Sequence, residues 1–297
     1  MQNLEVYLNS LKIDNNLNKI ILTLSRAVKE ISKIIRTASA GKAGTKNVYG
    51  EEQLALDVVS NKIVIDELKK NFLVGLIASE ELPTEEKFGK GEYAVCFDPL
   101  DGSSLVDVNF SVGSIFGIYK AKSFIGVKGD DQLASLIAVY GPRTTILMTV
   151  KKGVQEFMLD GDEFILTKEN IKVGEGKVFA PGNLRACSDR KDYLDLLNYW
   201  CKEQYTLRYS GGMVPDINHI LVKGKGIFTY PGYSEAPNGK LRLLFECAPM
   251  SLIMEQAGGV STDGKIRILD KVLENLEQRT PILIGSKSEV AIARKFL

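Results

Sequence analysis

The sequence predicts an α/β protein of layered architecture, built from two fused subdomains with the functional site between them. Three observations carry this reading. Apolar residues recur at helical spacing in two long stretches before residue 73. Short β-rich runs then take over, and the first two end on acids. Near Gly174 the pattern breaks, after which helix and strand alternate again.

Taken in order, NKIILTLSRAVKEISKIIRTA, from Leu17 to about Ala38, places apolar residues on one face and charges on the other, an amphipathic helix. GKAGTKNVYGEE gathers glycines and polar residues and reads as a mobile loop. LALDVVSNKIVIDELKKNF resumes the helical period. VGLIA and EYAVCF read as strands, ending at Ser79-Glu80-Glu81 and at Asp98-Pro99-Leu100-Asp101, so two strands reach one acidic rim. Further strands are expected in VGSIFGIYKA, LIAVYGPRTTILMTV and EFILT. EGKVFAPGNLRACSD reads as a boundary, and from Lys191 YLDLLNYWCKEQY returns to a helix. The expected division is 1–173 and 174–297, with most of the acids in the first part. No internal repeat or low-complexity tract interrupts either part.

Charge excludes two classes of partner. Lys and Arg total 38 against 37 Asp and Glu, so no global field favours nucleic acid or an anionic membrane. Any anion must be bound locally. The four cysteines, Cys96, Cys187, Cys201 and Cys247, are widely spaced, which suits reduced thiols; with no CxxC and a single histidine, His219, a zinc site is not expected. The N-terminus has no apolar core behind basic residues, the C-terminal Lys-Phe-Leu is only distantly like a peroxisomal tripeptide, and no apolar run approaches the roughly 20 residues that span a bilayer. The expectation is a cytoplasmic protein.

The chemistry concentrates in CFDPLDGSS, residues 96–104. A hard divalent cation takes several oxygen ligands, and Glu80, Glu81, Asp98, Asp101 and Glu246 could supply them from three segments. In a two-metal site, with ions about 3.5–4 Å apart, one ion activates a water and the other holds the leaving oxygen of a phosphate ester. Gly102, Ser103 and Ser104 then form a turn opening a helix, with N–H groups free for an anion. The alternative is an ordinary Asp-Pro-Leu-Asp-Gly turn beside a solvated Glu-Glu pair.

SEE, FDPLDGSS, LRLLFECAP and MEQAGG together resemble the metal-dependent, lithium-sensitive sugar phosphatases, and among them the fructose-bisphosphatase class, from about Gly50 to the C-terminus. Within that class YGPRTT, FAPGNLRA and TLRYSGGMVPDIN are more similar to members acting on a seven-carbon than on a six-carbon sugar bisphosphate. The resemblance implies an αβαβα sandwich and hydrolysis of the 1-phosphate of sedoheptulose 1,7-bisphosphate. Fructose 1,6-bisphosphate is the alternative substrate, and an inactive metabolite-binding protein the alternative of another class. It implies Mg²⁺, or Mn²⁺, with two or more ions per site, and a homodimer or homotetramer.

Residue by residue, the resemblance gives metal-ligand roles to Glu80, Glu81, Asp98, the Leu100 carbonyl, Asp101 and Glu246. Asp57 matches the carboxylate that works with Glu81 on the attacking water; its other reading is an exposed helix acid. Glu51 matches an acid on a loop that closes over the site. The unreactive phosphate needs cations and donors far from the metals: Asn183, Arg185, Arg208, Tyr209, Tyr230, Lys240 and Arg242 suit it. Arg242 alternates with Leu241 and Leu243 and could equally mark the polar face of a strand. Met213, after Gly211 and Gly212, could floor the sugar pocket or fill the core. His219, Tyr199 and Trp200 read as structural.

Three departures from the family pattern are informative, one for the substrate and two for regulation. Fructose-bisphosphatases carry an asparagine three residues before a tyrosine where Gly182 and Arg185 stand here, which implies a different remote end of the substrate. The regulatory cysteine pair of plastid relatives is missing from AGKAGTKN, and the Lys-Tyr pair that binds AMP in animal enzymes is Glu92-Tyr93. Neither control is expected.

Overall fold

The computed structural model describes residues 2–37, 42–46 and 52–297. Its elements are, in order, α1 (Leu4–Ser10), α2 (Asn15–Ile35), β1 (Lys42–Lys46), β2 (Glu52–Leu54), α3 (Ala55–Lys69), β3 (Val74–Ser79), β4 (Glu86–Lys87), β5 (Tyr93–Asp101), β6 (Val112–Lys120), β7 (Ala134–Tyr140), β8 (Thr144–Thr149), β9 (Gln155–Asp160) and β10 (Glu163–Lys168). Then follow β11 (Gly174–Pro181), α4 (Lys191–Lys202), β12 (Thr206–Leu207), α5 (Met213–Lys223), β13 (Lys225–Tyr230), α6 (Ala248–Gln256), β14 (Val260–Thr262), β15 (Ile282–Gly285) and α7 (Lys287–Ala293).

The first long helix starts where Asp14 accepts the Asn16 N–H at 2.9 Å, and Leu17, Ile20, Ile21, Leu24, Ala27, Val28 and Ile31 form its buried stripe. Lys42–Lys46, expected in a loop, is a strand that pairs antiparallel with β2, because ladder bonds join backbones whatever the side-chain pattern. Residues 38–41 and 47–51, including Glu51, lie outside the described residues.

Two larger sheets organise the rest. The first runs β10-β9-β8-β7-β6-β5-β3-β4, with β3 and β5 its parallel pair; the second runs β12-β11-β13-β15-β14. Strand alternation splits the apolar residues between layers. On the first sheet Tyr93, Val95 and Phe97 face α1, α2 and α3, while Ala94 and Cys96 face α5 and α6. On the second, Ala180, Phe228, Ile282 and Ile284 face that same inner helical layer, while Phe179, Ile227 and Leu283 meet α4 and α7. Five layers result, in the expected αβαβα order.

EGKVFAP, placed by the sequence in a connection, is β11, the strand that opens the second sheet. Trp200 is fully buried against Phe179, and Tyr199 packs against Phe296, as structural readings of both require. Among the described residues no helix is long and apolar enough to cross a membrane.

Candidate active site

The parallel pairing of β3 with β5 ends at Ser79 and Phe97, and ligand sites of α/β sheets lie outside such ends. The Glu80 N–H donates to the Phe97 carbonyl at 3.1 Å, so the acids after β3 stand beside those of β5. Ser79 braces the turn: its hydroxyl donates to Asn61 at 2.7 Å and accepts the Glu81 N–H at 3.2 Å.

In a regular strand Asp98 and Asp101, three apart, would point to opposite faces. The strand does not stop at Asp98, as the sequence suggests, but continues through both acids with a bulge. Asp98 pairs with Ile115 and Asp101 with Gly113, so β5 takes three steps where β6 takes two. Pro99, which has no N–H to lose, occupies the extra step. Leu100, buried inside the bulge, donates its N–H to Asp98 Oδ1 at 2.9 Å. The bulge turns the two carboxylates toward each other.

Glu246 arrives from the second half of the chain on a π-helical turn, Leu243–Cys247, that leads into α6; such turns often carry functional side chains. Its Oε2 accepts the Arg242 N–H at 2.6 Å. Oxygens of Asp98, Asp101 and Glu246 all lie within 4.8 Å of one another, on residues 5%, 9% and 6% exposed. Burial drives the Asp98 carboxyl far above its usual range, and Glu80, Asp101 and Glu246 push it further. Glu246 is raised by burial and then by Glu80. Asp101 is pushed up to about 6 by burial, against the hydrogen bonds it accepts from Val214 and Met213. Converging buried carboxylates with oxygen donors alone fit a hard divalent cation, which would offset the repulsion that raises these groups.

The N-terminus of α5 closes the other side. Val214 N–H donates to Asp101 Oδ2 at 2.7 Å, and the positive end of the helix dipole favours that anion. The close approach depends on a glycine: a Cβ at Gly113 would lie 2.6 Å from Val214 Cβ. Gly102 adopts φ 77°, and the turn it opens, Ser103–Val108, is 3₁₀ rather than α-helical. Ser103 is half-buried and Ser104 exposed on that turn.

The two halves of the chain match the models "Fructose-1-6-bisphosphatase, N-terminal domain" over residues 4–169 and "Fructose-1-6-bisphosphatase, C-terminal domain" over 173–297. The chain belongs to the fructose-1,6-bisphosphatase family. It is 45% identical to the chloroplastic sedoheptulose-1,7-bisphosphatase of Triticum aestivum, covering 97% of this chain and 74% of that protein. It is 46% identical to the class 1 fructose-1,6-bisphosphatase of Citrifermentans bemidjiense, covering 98% and 90%. The holo crystal structure of Leishmania major fructose-1,6-bisphosphatase is 34% identical and superposes with a TM-score of 0.94, covering 99% of this chain and 98% of that one.

Against this family background the remaining expected site residues can be located. Asp57 is 7% exposed in the first turn of α3, a helix that packs on β5, so it is not a solvated helix acid. Arg242 is not on the polar face of a strand either. Only 4% of its side chain is exposed, and its Nη1 donates to Glu80 Oε1, because the π turn swings the segment toward the acids. It acts there as a counter-ion beside the carboxylates.

Of the residues expected at the remote end, Arg185, Tyr209 and Tyr230 influence one another electrostatically. Arg185 is exposed on a 3₁₀ turn, Leu184–Ser188, and its charge lowers the hydroxyl pKa of both Tyr209 and Tyr230 against the burial that raises them, leaving Tyr230 at about 12. Gly182 has a packing reason: a Cβ there would lie 2.6 Å from the Tyr230 ring. Asn183 starts the turn at φ 53°, is 7% exposed, and gives its side-chain N–H to the Pro231 carbonyl at 2.8 Å, fastening the turn. Lys240 is half-buried and Arg208 exposed, the latter with Nη1 on the Leu207 carbonyl. Gly211, at φ 103°, packs over Leu105, and Met213 is 3% exposed in the inner core. His219, half-buried on α5, has its pKa lowered by burial and then by Arg208 and Lys223.

Gly113 and Asp216 were not singled out by the sequence reading. The four-residue spacing of Gly113 and Gly117 in VGSIFGIYK carries a faint signal for the first, since two glycines of one strand face leave room for a helix.

Proposed function

We propose that the chain is a divalent-metal-dependent phosphatase that hydrolyses the 1-phosphate of sedoheptulose 1,7-bisphosphate to sedoheptulose 7-phosphate and phosphate, with fructose 1,6-bisphosphate as a second substrate. The observation that carries the chemistry is the buried convergence of Asp98, Asp101 and Glu246, with Glu80 close enough to shift Asp98. These residues, with Glu81 and the Leu100 carbonyl, would hold Mg²⁺ or Mn²⁺, two or more ions per site. Bound there, such ions supply Lewis acidity toward the ester and make a water acidic enough to attack near neutral pH.

The chain's own groups would do the rest. Asp57 and Glu81 orient the water and take its proton, and Glu51 belongs with them. The new bond forms between the water oxygen and phosphorus, the bond from phosphorus to the C1 oxygen breaks, and a proton ends on that sugar oxygen. N–H groups at Gly102, Ser103 and Ser104 face the phosphoryl oxygens. Arg185, Tyr209, Tyr230 and Lys240, with Arg208 and Asn183, hold the unreactive phosphate, while Gly211 and Met213 shape the sugar site. Arg242 balances the acids between the two ends.

Relatives named for the seven-carbon and the six-carbon substrate are equally similar to this chain, at 45% and 46% identity, so one observation favours the seven-carbon sugar: the Arg185 guanidinium, whose charge reaches Tyr209 and Tyr230. A charged fork suits a phosphate carried further from the metals. The working form is a cytoplasmic homodimer or homotetramer, with 1–173 bringing most metal ligands and 174–297 the sugar and remote-phosphate contacts. Comparing kcat/KM for the two bisphosphates with Mg²⁺ present tests the assignment. A higher value for the seven-carbon substrate, abolished by chelation, is expected. Chelator-insensitive turnover removes the metal chemistry, and a tenfold preference for the six-carbon substrate removes the substrate assignment.

A further inference from the structure

Asp216 is a buried acid outside the expected site. It is 4% exposed in the first turn of α5, the helix whose N-terminus holds Asp101. Its Oδ1 accepts the Ser210 N–H at 2.8 Å, and its Oδ2 is buried with no hydrogen-bond partner among the described residues. Leaving a carboxyl oxygen buried and unmatched is destabilising, so stability alone does not explain an acid here.

Its surroundings do. Ser210 in turn binds both sides of Gly212: its hydroxyl accepts the Gly212 N–H and donates to the Gly212 carbonyl, each at 3.2 Å. The segment thus clamped, Tyr209–Gly212, has the remote-phosphate tyrosine at one end. At its other end is the glycine that packs on Gly102 and on Asp101 Oδ2. Asp216 and Asp101 both raise the hydroxyl pKa of Tyr209. Burial lifts Asp216 itself to about 7, against the bonds from Ser210 and with a further push from Asp101. One helical turn therefore holds the metal-site carboxylate on its N–H groups and the substrate segment on its side chain.

We infer that Asp216 is a positioning residue that ties the Tyr209–Gly212 segment to the α5 turn holding Asp101, and so sets the spacing between the remote-phosphate contacts and the metal site. The tie itself is a structural statement. Its effect on substrate rests on the bisphosphatase reading above.

The test compares Asp216→Ala, Asp216→Leu and Asp216→Asn with the wild type in two measurements. Leucine keeps the volume without the acceptor, which covers the case in which the alanine cavity unfolds the protein. Asparagine keeps an acceptor for Ser210. Amide hydrogen exchange over residues 208–212, read without substrate, should speed up about tenfold or more in the alanine and leucine variants and stay near wild type in Asn. With Mg²⁺, KM for the bisphosphate should rise about tenfold in the same two variants, while kcat/KM for p-nitrophenyl phosphate, which has no remote phosphate, stays within about threefold. Unchanged exchange in the leucine variant overturns the tie. Equal losses on both substrates, or an asparagine variant as impaired as leucine, overturn the positioning role. A wild type that hydrolyses no bisphosphate removes the functional reading instead, and the exchange measurement still decides the tie.

Discussion

Replacing Gly113 by alanine tests whether the site depends on the seating of α5 against β6. Gly113 pairs with Asp101 in the ladder, and a Cβ there would lie 2.5 Å from the Ala138 carbonyl oxygen and 2.6 Å from Val214 Cβ, where ordinary contacts begin at 3.4 Å. Neither neighbour is the end of a flexible chain, so α5 must back away by about 1 Å. That takes the 2.7 Å bond from Val214 N–H to Asp101 beyond hydrogen-bonding range. Overpacking costs about 1–3 kcal/mol and a lost bond to a charged group about 1.5–3 kcal/mol. Together, about 2.5–6 kcal/mol is expected, or a fall in Tm of roughly 5–12 °C for a chain of this size. A gap of about 1 Å between α5 and Asp101, the proposed metal ligand it steadies, should also lower kcat/KM by about a hundredfold. Calorimetric melting and steady-state kinetics with Mg²⁺ read both numbers. A variant that melts within about 2 °C of wild type with unchanged kcat/KM would show that α5 is not seated through Gly113.

Arg185→Ala should lower kcat/KM for sedoheptulose 1,7-bisphosphate by about 2–4 kcal/mol, the value of a charge-assisted contact, with Arg185→Tyr narrowing the preference over fructose 1,6-bisphosphate; an unchanged ratio in both variants reduces Arg185 to a surface charge. Metal affinity should be pH-dependent. Asp98 and Glu246 are raised by burial and neighbouring acids, and Asp101 by burial to about 6, all above their unfolded values of about 4. The metal-free fold therefore holds protons that the unfolded chain releases. For Asp101 the stabilising contribution is present below about pH 4 and fades as pH rises through about 6, while Mg²⁺, which must displace these protons, binds more tightly over the same rise. Calorimetric titration at pH 5.5 and 7.5 checks this, and equal affinities contradict it. AMP should not inhibit: Lys120 lies 3.7 Å from Asp14 and 3.8 Å from Glu92, and the Tyr93 hydroxyl donates to Asp14, so the cation there is already matched by carboxylates. A micromolar inhibition constant would overturn this.

The sequence by itself determined what depends on neighbours along the chain. The helical stripe of α2, the period-2 strands and the placing of acids directly after VGLIA and EYAVCF are legible because they follow from local spacing, and local motifs carried the family resemblance with them. Tertiary structure decided what depends on residues far apart. Asp98 and Asp101 share a face because β5 bulges against β6, a property of the pairing and not of DPLD alone. Arg242, read as a phosphate-binding cation or the polar face of a strand, lies beside Glu80, 162 positions away, because a π turn redirects it. Gly113 and Asp216 matter only once α5, more than a hundred residues after Asp101, is laid across the end of the first sheet. A side chain's burial, partner and protonation are set by whatever the fold brings within a few ångströms, and periodicity along one segment carries no information about the segment that will arrive opposite it.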